Sequence, residues 1–273
     1  MPTVSKHYNE SLQLETILLQ LNDAYPDGPN AYQLAPIDQL HIGGIKASEK
    51  LAERLDTLKP ESVLDVGSGL GGLLRVCKQR HDAIYVGLDI THGLSYANQQ
   101  LGKLNQTSSP CMVVTGNGQQ LPFADESFDV IIMQHSLLNM PDKINALKES
   151  KRVLRKGGHL ILHEVLMGEH YEQMLFPVPW ARTKDISHLT SEKSLTALID
   201  EASLRIESIN DWSEEAILWR TRQTNKQATQ QTSSQSPVVS PAMILGCDFI
   251  QMGKNVQSNL QNGAIRIVEI LIC

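Results

Sequence analysis

Two periods of apolar and polar positions alternate along this chain. In residues 10–21, Leu12, Leu14, Ile17, Leu18 and Leu21 recur at helical spacing and predict an amphipathic helix. The stretch NDAYPDGPNAYQLAP that follows is dense in Pro, Gly and Asn, and reads as an irregular connector or a lid. Ala47, Leu51 and Leu55 then restore helical spacing behind His41-Ile42-Gly43-Gly44. Short apolar runs predict strands at Ser62–Val66, 83–88, 111–115 and 128–133, the last almost continuous, as in a strand buried on both faces of a parallel sheet. Helices are expected at 93–104 and 142–154, the second basic near its C-terminus and stopped by Gly157-Gly158.

The alternation continues with a strand at 159–165, a helix at 191–202 and a strand at 204–209. Between them FPVPWART, residues 176–183, has two prolines that forbid a helix and leave Trp180 on a stiff loop. Residues 221–240 are polar and low in complexity and read as a mobile insertion. A helix at 243–260 and a closing strand within 264–273 complete the chain. Strands separated by helices at this spacing predict an α/β fold, a parallel sheet covered by helices on both sides. The expected division is a helical cap and lid over residues 1–44 and one domain over 45–273.

Composition narrows the partners. The 273 residues are 41% hydrophobic and 20% charged with a formal net charge of -6, so no positive field invites a nucleic acid. Four scattered cysteines without CxxC spacing suggest reduced thiols and a cytoplasmic setting. No apolar run approaches the roughly 20 residues that cross a bilayer, so no membrane segment is expected. A small-molecule substrate is favoured, and a homodimer is compatible with the composition.

The chemistry gathers around residues 61–91. Gly67, Gly69, Gly71 and Gly72 follow the first strand, where a ligand can approach backbone N–H groups without meeting a Cβ. Asp89 closes the next strand, where an acid can accept hydrogen bonds from both ribose hydroxyls of a nucleotide-like cofactor. Gly67, Gly69 and Gly72 satisfy GxGxxG, so an NAD-dependent oxidoreductase must be weighed. Asp65 speaks against it, because a carboxylate inside the first strand suits a cationic ligand better than a pyrophosphate. Ligands in such sheets sit beyond the C-terminal strand ends, and that rule collects Asp65, Asp89, Asn117, Gln134, His135 and Glu164 along one edge.

VLDVGSGLGG, VGLDIT, LPFADESFDVII and RVLRKGGHLIL, in this order and spacing, resemble the class I S-adenosylmethionine-dependent methyltransferases. HIGG, QHSLLNM, FPVPWA and IRIVE resemble more narrowly a small-molecule branch, the type 11 methyltransferases near the sarcosine/dimethylglycine and ubiquinone-biosynthesis enzymes. The resemblance implies a Rossmann-like, doubly wound sheet of seven mostly parallel strands with an antiparallel C-terminal strand. It implies S-adenosyl-L-methionine as cofactor. Asp65 and the backbone of Gly67, Ser68 and Gly69 would hold its methionine part, Asp89 its ribose, and Ile90, Asn117, Gly118 and Gln119 its adenine. Gln134 would face the sulfonium end, and His41 and Gly44 would close over the carboxylate.

Methyl transfer from a sulfonium needs alignment more than acid–base help, and a base only if the acceptor arrives protonated. His135 is the candidate base, since an imidazole titrates near neutrality and lies at the strand end nearest the expected methyl group. A loop-bonding or pocket-shaping role for His135 is the alternative. Tyr25, Tyr32, Asn139 and Trp180 are candidate acceptor contacts. His159 and His163 share one face of a strand, and without further ligands they read as packing or edge residues rather than a metal site. A non-catalytic cofactor-binding protein of the same fold is the third reading. The acceptor is open among amines, hydroxyl compounds and natural-product intermediates.

Overall fold

The computed structural model describes residues 12–104, 111–230 and 238–273. Five parallel strands form the heart of the sheet: β1 (Ser62–Val66), β2 (Ile84–Asp89), β3 (Met112–Thr115), β4 (Phe128–Gln134) and β5 (Leu154–Met167). β6 (Ile206–Asp211) and β7 (Ile265–Ile272) complete it in the order β3-β2-β1-β4-β5-β7-β6, with β7 antiparallel to both neighbours. This is the seven-stranded, doubly wound sheet expected.

Alternate residues of the central strands feed opposite faces, which is why their sequences are largely apolar. Val63, Val130, Ile132 and Ile161 pack under α3 (Gly44–Leu58) and α4 (Gly72–Arg80). Leu64, Ile131, Met133, Leu160 and Leu162 enter the opposite core, with Ala146, Leu147, Leu195 and Ile199 from α6 (Lys143–Val153) and α7 (Glu192–Glu201). A third cluster joins α1 (Leu14–Ala24), α2 (Ala31–Asp38) and α5 (His92–Leu104) around Leu70 of the glycine turn. The N-terminal helices therefore sit directly on the turn.

Several expected boundaries are corrected. The first helix starts at Leu14, and residue 10 lies outside the described residues. Part of the presumed connector is the helix α2. Asn30 Oδ1 accepts from the Gln33 N–H at 3.0 Å and Gln33 Oε1 from the Asn30 N–H at 2.7 Å, a reciprocal cap that starts the helix despite Pro36 inside it. Gly157-Gly158 does not stop α6, which ends at Val153. Leu154 already pairs with Phe128, so β5 begins there and the glycines lie within it. The first half of the polar stretch 221–240 is helical: α8 (Ser213–Gln230) runs through it, with Thr224 Oγ1 donating to Gln257 Oε1 at 2.7 Å. Residues 231–237 lie outside the described residues. The helix expected at 243–260 is two, α9 (Ala242–Leu245) and α10 (Phe249–Gln261), broken at Gly246, whose φ is 78°.

Candidate active site

β1 carries Asp65 to the ligand edge of the sheet, with only 3% of its surface exposed. Burial, and next the charge of Asp89, push the Asp65 carboxyl up to about 8. It makes no ion pair among the described residues. Behind it Gly67 and Gly69 take φ of 85° and 51°. A Cβ on Gly67 would lie 2.3 Å from that of Ser136, whereas one on Gly69 would meet nothing within 4 Å. The turn is thus tight at its first glycine and open at its second, the side from which a ligand can approach.

The N–H groups of the turn do not point outward as expected. Those of Gly67 and Ser68 donate to the Leu88 carbonyl at 2.7 and 3.0 Å, and that of Gly69 to Asp89 Oδ2 at 2.9 Å. These three N–H groups are thus spent within the protein, and the turn offers a ligand open space at Gly69. Asp89 also accepts from the Thr91 N–H at 2.8 Å, so its carboxylate is fixed against the turn. Burial raises it despite these bonds. Next to it, Ile90 is 48% exposed, an apolar side chain free to cover a flat ring.

The third strand's exit is built differently from the first two. Asn117 is exposed, and its Oδ1 accepts from the Gln119 N–H at 2.9 Å, closing a turn on Gly118. Gln119 Oε1 is occupied by the Asp142 N–H at 2.8 Å, so that side chain ties the turn to α6. Gly118 is packed so closely that a Cβ would sit 2.8 Å from both Met140 and Val66.

β4 and β5 deliver the other half of the site. Ser136 Oγ donates to the Val66 carbonyl at 2.5 Å, pinning the exit of β4 to that of β1. Gln134 is 9% exposed, and its Oε1 accepts from Ser48 Oγ at 3.3 Å. His135 has φ of 52°, an unfavourable conformation for a side chain with a Cβ, and its N–H donates to the His163 carbonyl at 2.8 Å. Its Nε2 is buried without a hydrogen-bond partner. Burial first, then His163 and His41, hold its imidazole well below the usual range. The ring is neutral at pH 7, with a lone pair available but a weakened affinity for a proton.

His41 stands beside it, ring centroids 5.9 Å apart, with Nε2 hydrogen-bonded to the Gly44 carbonyl at 3.0 Å. The two residues expected to close over the cofactor are thus bonded to each other, and a Cβ on Gly44 would lie 3.1 Å from Trp219. Glu164, on the same edge, is fully engaged. Its carboxylate accepts from the N–H groups of Ser136, Leu137 and Leu138 at 2.9, 2.8 and 3.2 Å, capping the short turn at Leu137–Asn139. Burial lifts it to about 7.

The candidate acceptor contacts separate. Trp180 is 7% exposed and packs with Ile42 and Leu138, and Asn139 ends the turn beside them. Tyr25 packs instead with the N-terminal helices, and Tyr32 is 60% exposed, its hydroxyl bonded to Glu49 on the outer face of α3. Trp212 and His163 were not singled out for the site by sequence, yet their rings meet at 4.9 Å beside His135.

The Methyltransferase domain family model matches residues 64–162, the segment from β1 to β5 that builds this edge. Residues 64–162 of this chain are a methyltransferase domain. It is 27% identical to methyltransferase GfsG of Streptomyces halstedii over 78% of its own length and 76% of the relative's. It is 30% identical to the sarcosine/dimethylglycine N-methyltransferase of Halorhodospira halochloris over 45% of its length and 46% of the relative's. With the C-methyltransferase UbiE of Dinoroseobacter shibae the identity is 33%, covering 47% of this chain and 52% of that one. The methyltransferase thus spans three quarters of the first relative and about half of the other two. Among solved structures it superposes on a geranyl diphosphate C-methyltransferase from Streptomyces coelicolor A3(2), crystallised with S-adenosyl-L-homocysteine, with a TM-score of 0.65 at 15% identity over 100% of this chain and 98% of that one. The [4+2]-cyclase SpnF matches at a TM-score of 0.68 and 17% identity over 99% and 96% of the two chains. These two likenesses concern the fold.

The residues present fit S-adenosyl-L-methionine, the cofactor of this family. Two buried carboxylates, Asp65 and Asp89, stand at neighbouring strand ends, and Asp65 lacks a cationic partner among the described residues. A ligand with positive charge and ribose hydroxyls satisfies both. The oxidoreductase reading is not favoured, since the matching family model and the relatives are methyltransferases.

Proposed function

We propose that this methyltransferase moves a methyl group onto a small-molecule acceptor by in-line displacement. Bound S-adenosyl-L-methionine supplies a methyl carbon on a positively charged sulfur, which leaves as the neutral thioether of S-adenosyl-L-homocysteine when the acceptor's lone pair takes the methyl. The observation that carries the reading is Asp65: a buried carboxyl with no cationic partner among the described residues, beside an open glycine turn, is placed to pair with an ammonium.

In this reading Asp65 and the turn Gly67, Ser68 and Gly69 hold the methionine end, Asp89 the ribose, and Ile90, with Asn117, Gly118 and Gln119, the adenine. Gln134 orients the sulfonium side, and His41 with Gly44 closes that end. His135 Nε2 receives a proton where the acceptor carries one. Holding the acceptor in line contributes the larger share, roughly 7–11 kcal/mol of barrier for a well-aligned pair. Trp180 and Asn139 bound the acceptor side.

The relatives named for sarcosine/dimethylglycine and for ubiquinone and menaquinone biosynthesis set the first acceptors to try. No helix among the described residues is long and apolar enough to cross a membrane, and the four cysteines are unpaired. The unpaired cysteines support our proposal of a cytoplasmic small-molecule methyltransferase.

The test is calorimetry with S-adenosyl-L-methionine and NAD, followed by a screen for S-adenosyl-L-homocysteine release over a metabolite panel. Binding of the first and not of NAD is expected. NAD binding alone would sink the reading, and cofactor binding without turnover on any acceptor would favour a non-catalytic protein of this fold.

A further inference from the structure

His41, His135 and His163 come from the loop before α3, the exit of β4 and the middle of β5, yet their rings form one group. Centroids are 5.9 Å apart for His41 and His135, 6.4 Å for His41 and His163, and 5.1 Å for His135 and His163, which stack at 20°. Trp212 closes on His163 edge-on at 4.9 Å. His135 Nε2, both ring nitrogens of His163 and Gln134 Nε2 are buried with no hydrogen-bond partner. Binding the cofactor needs none of the His163 atoms. Among the described residues no such cluster is arranged to hold a metal ion.

The charges around this group decide what it can take. Glu164 is turned away and spent on three backbone N–H groups. Glu269, opposite His163 in the β5–β7 register, is held by Arg54 Nε at 2.9 Å and Nη2 at 2.6 Å. Lys143 is bound to the carbonyls of Met140 and His188 at 2.8 and 2.6 Å. Lys50 lies 4.3 Å over the Trp212 ring, so the aromatic face that could have taken a cation already holds one. Among the described residues, the two carboxylates flanking the pair on β5 and β7 are thus engaged, while several imidazole nitrogens lack partners. Burial holds all three imidazoles uncharged; His163 and His41 add to this at His135, and His41 and Lys50 at His163, whereas the Gly44 carbonyl opposes it at His41.

We infer that the acceptor is an uncharged hydroxyl compound, its oxygen hydrogen-bonded within the His135–His163 pair, and that this site discriminates against an ammonium in the same place. The inference rests on the methyltransferase reading and names its acceptor class. As the oxygen takes the methyl, its proton passes to His135 Nε2, so the positive charge lost at sulfur reappears on the imidazole and leaves with that proton to solvent. The stacked, neutral His163 ring keeps a second nitrogen beside the oxygen without adding charge.

Benzyl alcohol and benzylammonium have the same shape and differ in charge. Ligand-observed NMR titrations of the full chain saturated with S-adenosyl-L-homocysteine compare them directly. The alcohol is expected to bind at least tenfold tighter than the ammonium. His163→Glu, which supplies the missing carboxylate, should move that ratio at least tenfold toward the ammonium, whereas His163→Gln should keep the preference for the alcohol. Equal or tighter binding of benzylammonium by the unmutated protein overturns the inference, and so does failure of both probes to bind the loaded protein. The unmutated chain alone decides this if either variant does not fold. Failure to bind S-adenosyl-L-homocysteine strikes the methyltransferase reading itself, and is thereby distinguished from the other two results.

Discussion

Arg75 Nη2 lies 2.9 Å from Asp38 Oδ2 in an ion pair whose side chains are 6% and 1% exposed. The same guanidinium donates to the Leu70 carbonyl in the glycine turn and reaches Asn98 Oδ1 at 3.3 Å, so one side chain ties α2, the turn and α5 together. Burial outweighs the attraction of Arg75 and raises the Asp38 carboxyl, so the pair is costly to bury even when made. Arg75→Leu should therefore cost about 3–5 kcal/mol, because Asp38 stays buried and unpaired. Arg75→Leu with Asp38→Leu should recover most of it. Urea unfolding of the three proteins measures this; a single variant as stable as the parent would show that the pair does not hold α2 in place.

Asp65 gives cofactor binding a pH dependence. At pH 7 a carboxyl raised to about 8 is mostly protonated in the free protein, and pairing with a cation requires it to ionise. Binding should release a proton, and affinity should rise with pH from 6 to 8, by up to about tenfold per pH unit. Calorimetry in buffers of different ionisation enthalpy counts the proton. For stability the sign is opposite. With the folded value above the unfolded one, the contribution is complete below about pH 4 and is lost as pH rises through 8. Asp65→Asn should abolish both effects, and a variant retaining the proton release would assign it elsewhere.

β1 and β4 were readable because each is buried on both faces, leaving a short, largely apolar run. Ser62–Val66 is found at the expected bounds, and Phe128–Gln134 exceeds the expected run only by Gln134. Helix α2 was hidden by its own composition, although Asn30 and Gln33 at capping-box spacing were a visible signal. Helix α8 was hidden because its polar sequence is held by distant α10, through contacts such as Thr224 with Gln257. His159 and His163 look alike in sequence. One lies 3.7 Å from Glu207 near the surface, whereas the other is fully buried against Trp212, a difference set by β7 and α3 rather than by the strand itself. Arg75 and Asp38 are 37 positions apart with no shared pattern, so nothing local announces their pairing.

The imidazoles should weaken the fold in acid. Burial lowers His41 to about 4 and His163 to about 3, below their unfolded value near 6.5. Their contribution is therefore present above pH 6.5 and is lost as pH falls through 4 to 3, as the unfolded chain takes up protons that the folded chain refuses. Asp65 and Glu164 act in the opposite sense over part of this range, so the clean measure is a difference between proteins. His163→Asn should lose less stability than the parent between pH 7 and pH 5 in thermal melts. Parallel curves would mean that His163 is not buried as a neutral ring.

Two glycines test whether the turn is shaped for a ligand or merely flexible. At Gly67, φ of 85° strains any side chain, and a Cβ would lie 2.3 Å from that of Ser136, whose hydroxyl pins β4 to β1. Gly67→Ala must therefore displace the exit of β4 or the turn, which carry Gln134 and Asp65 on either side of the proposed cofactor position. Affinity for S-adenosyl-L-homocysteine should fall at least tenfold. Gly102 lies within α5, and a Cβ there meets nothing within 4 Å. Gly102→Ala should leave affinity unchanged and add about 0.5–1 kcal/mol of stability by narrowing the unfolded chain's freedom. If both substitutions left affinity alike, the close approach of Gly67 to Ser136 would have no part in forming the site.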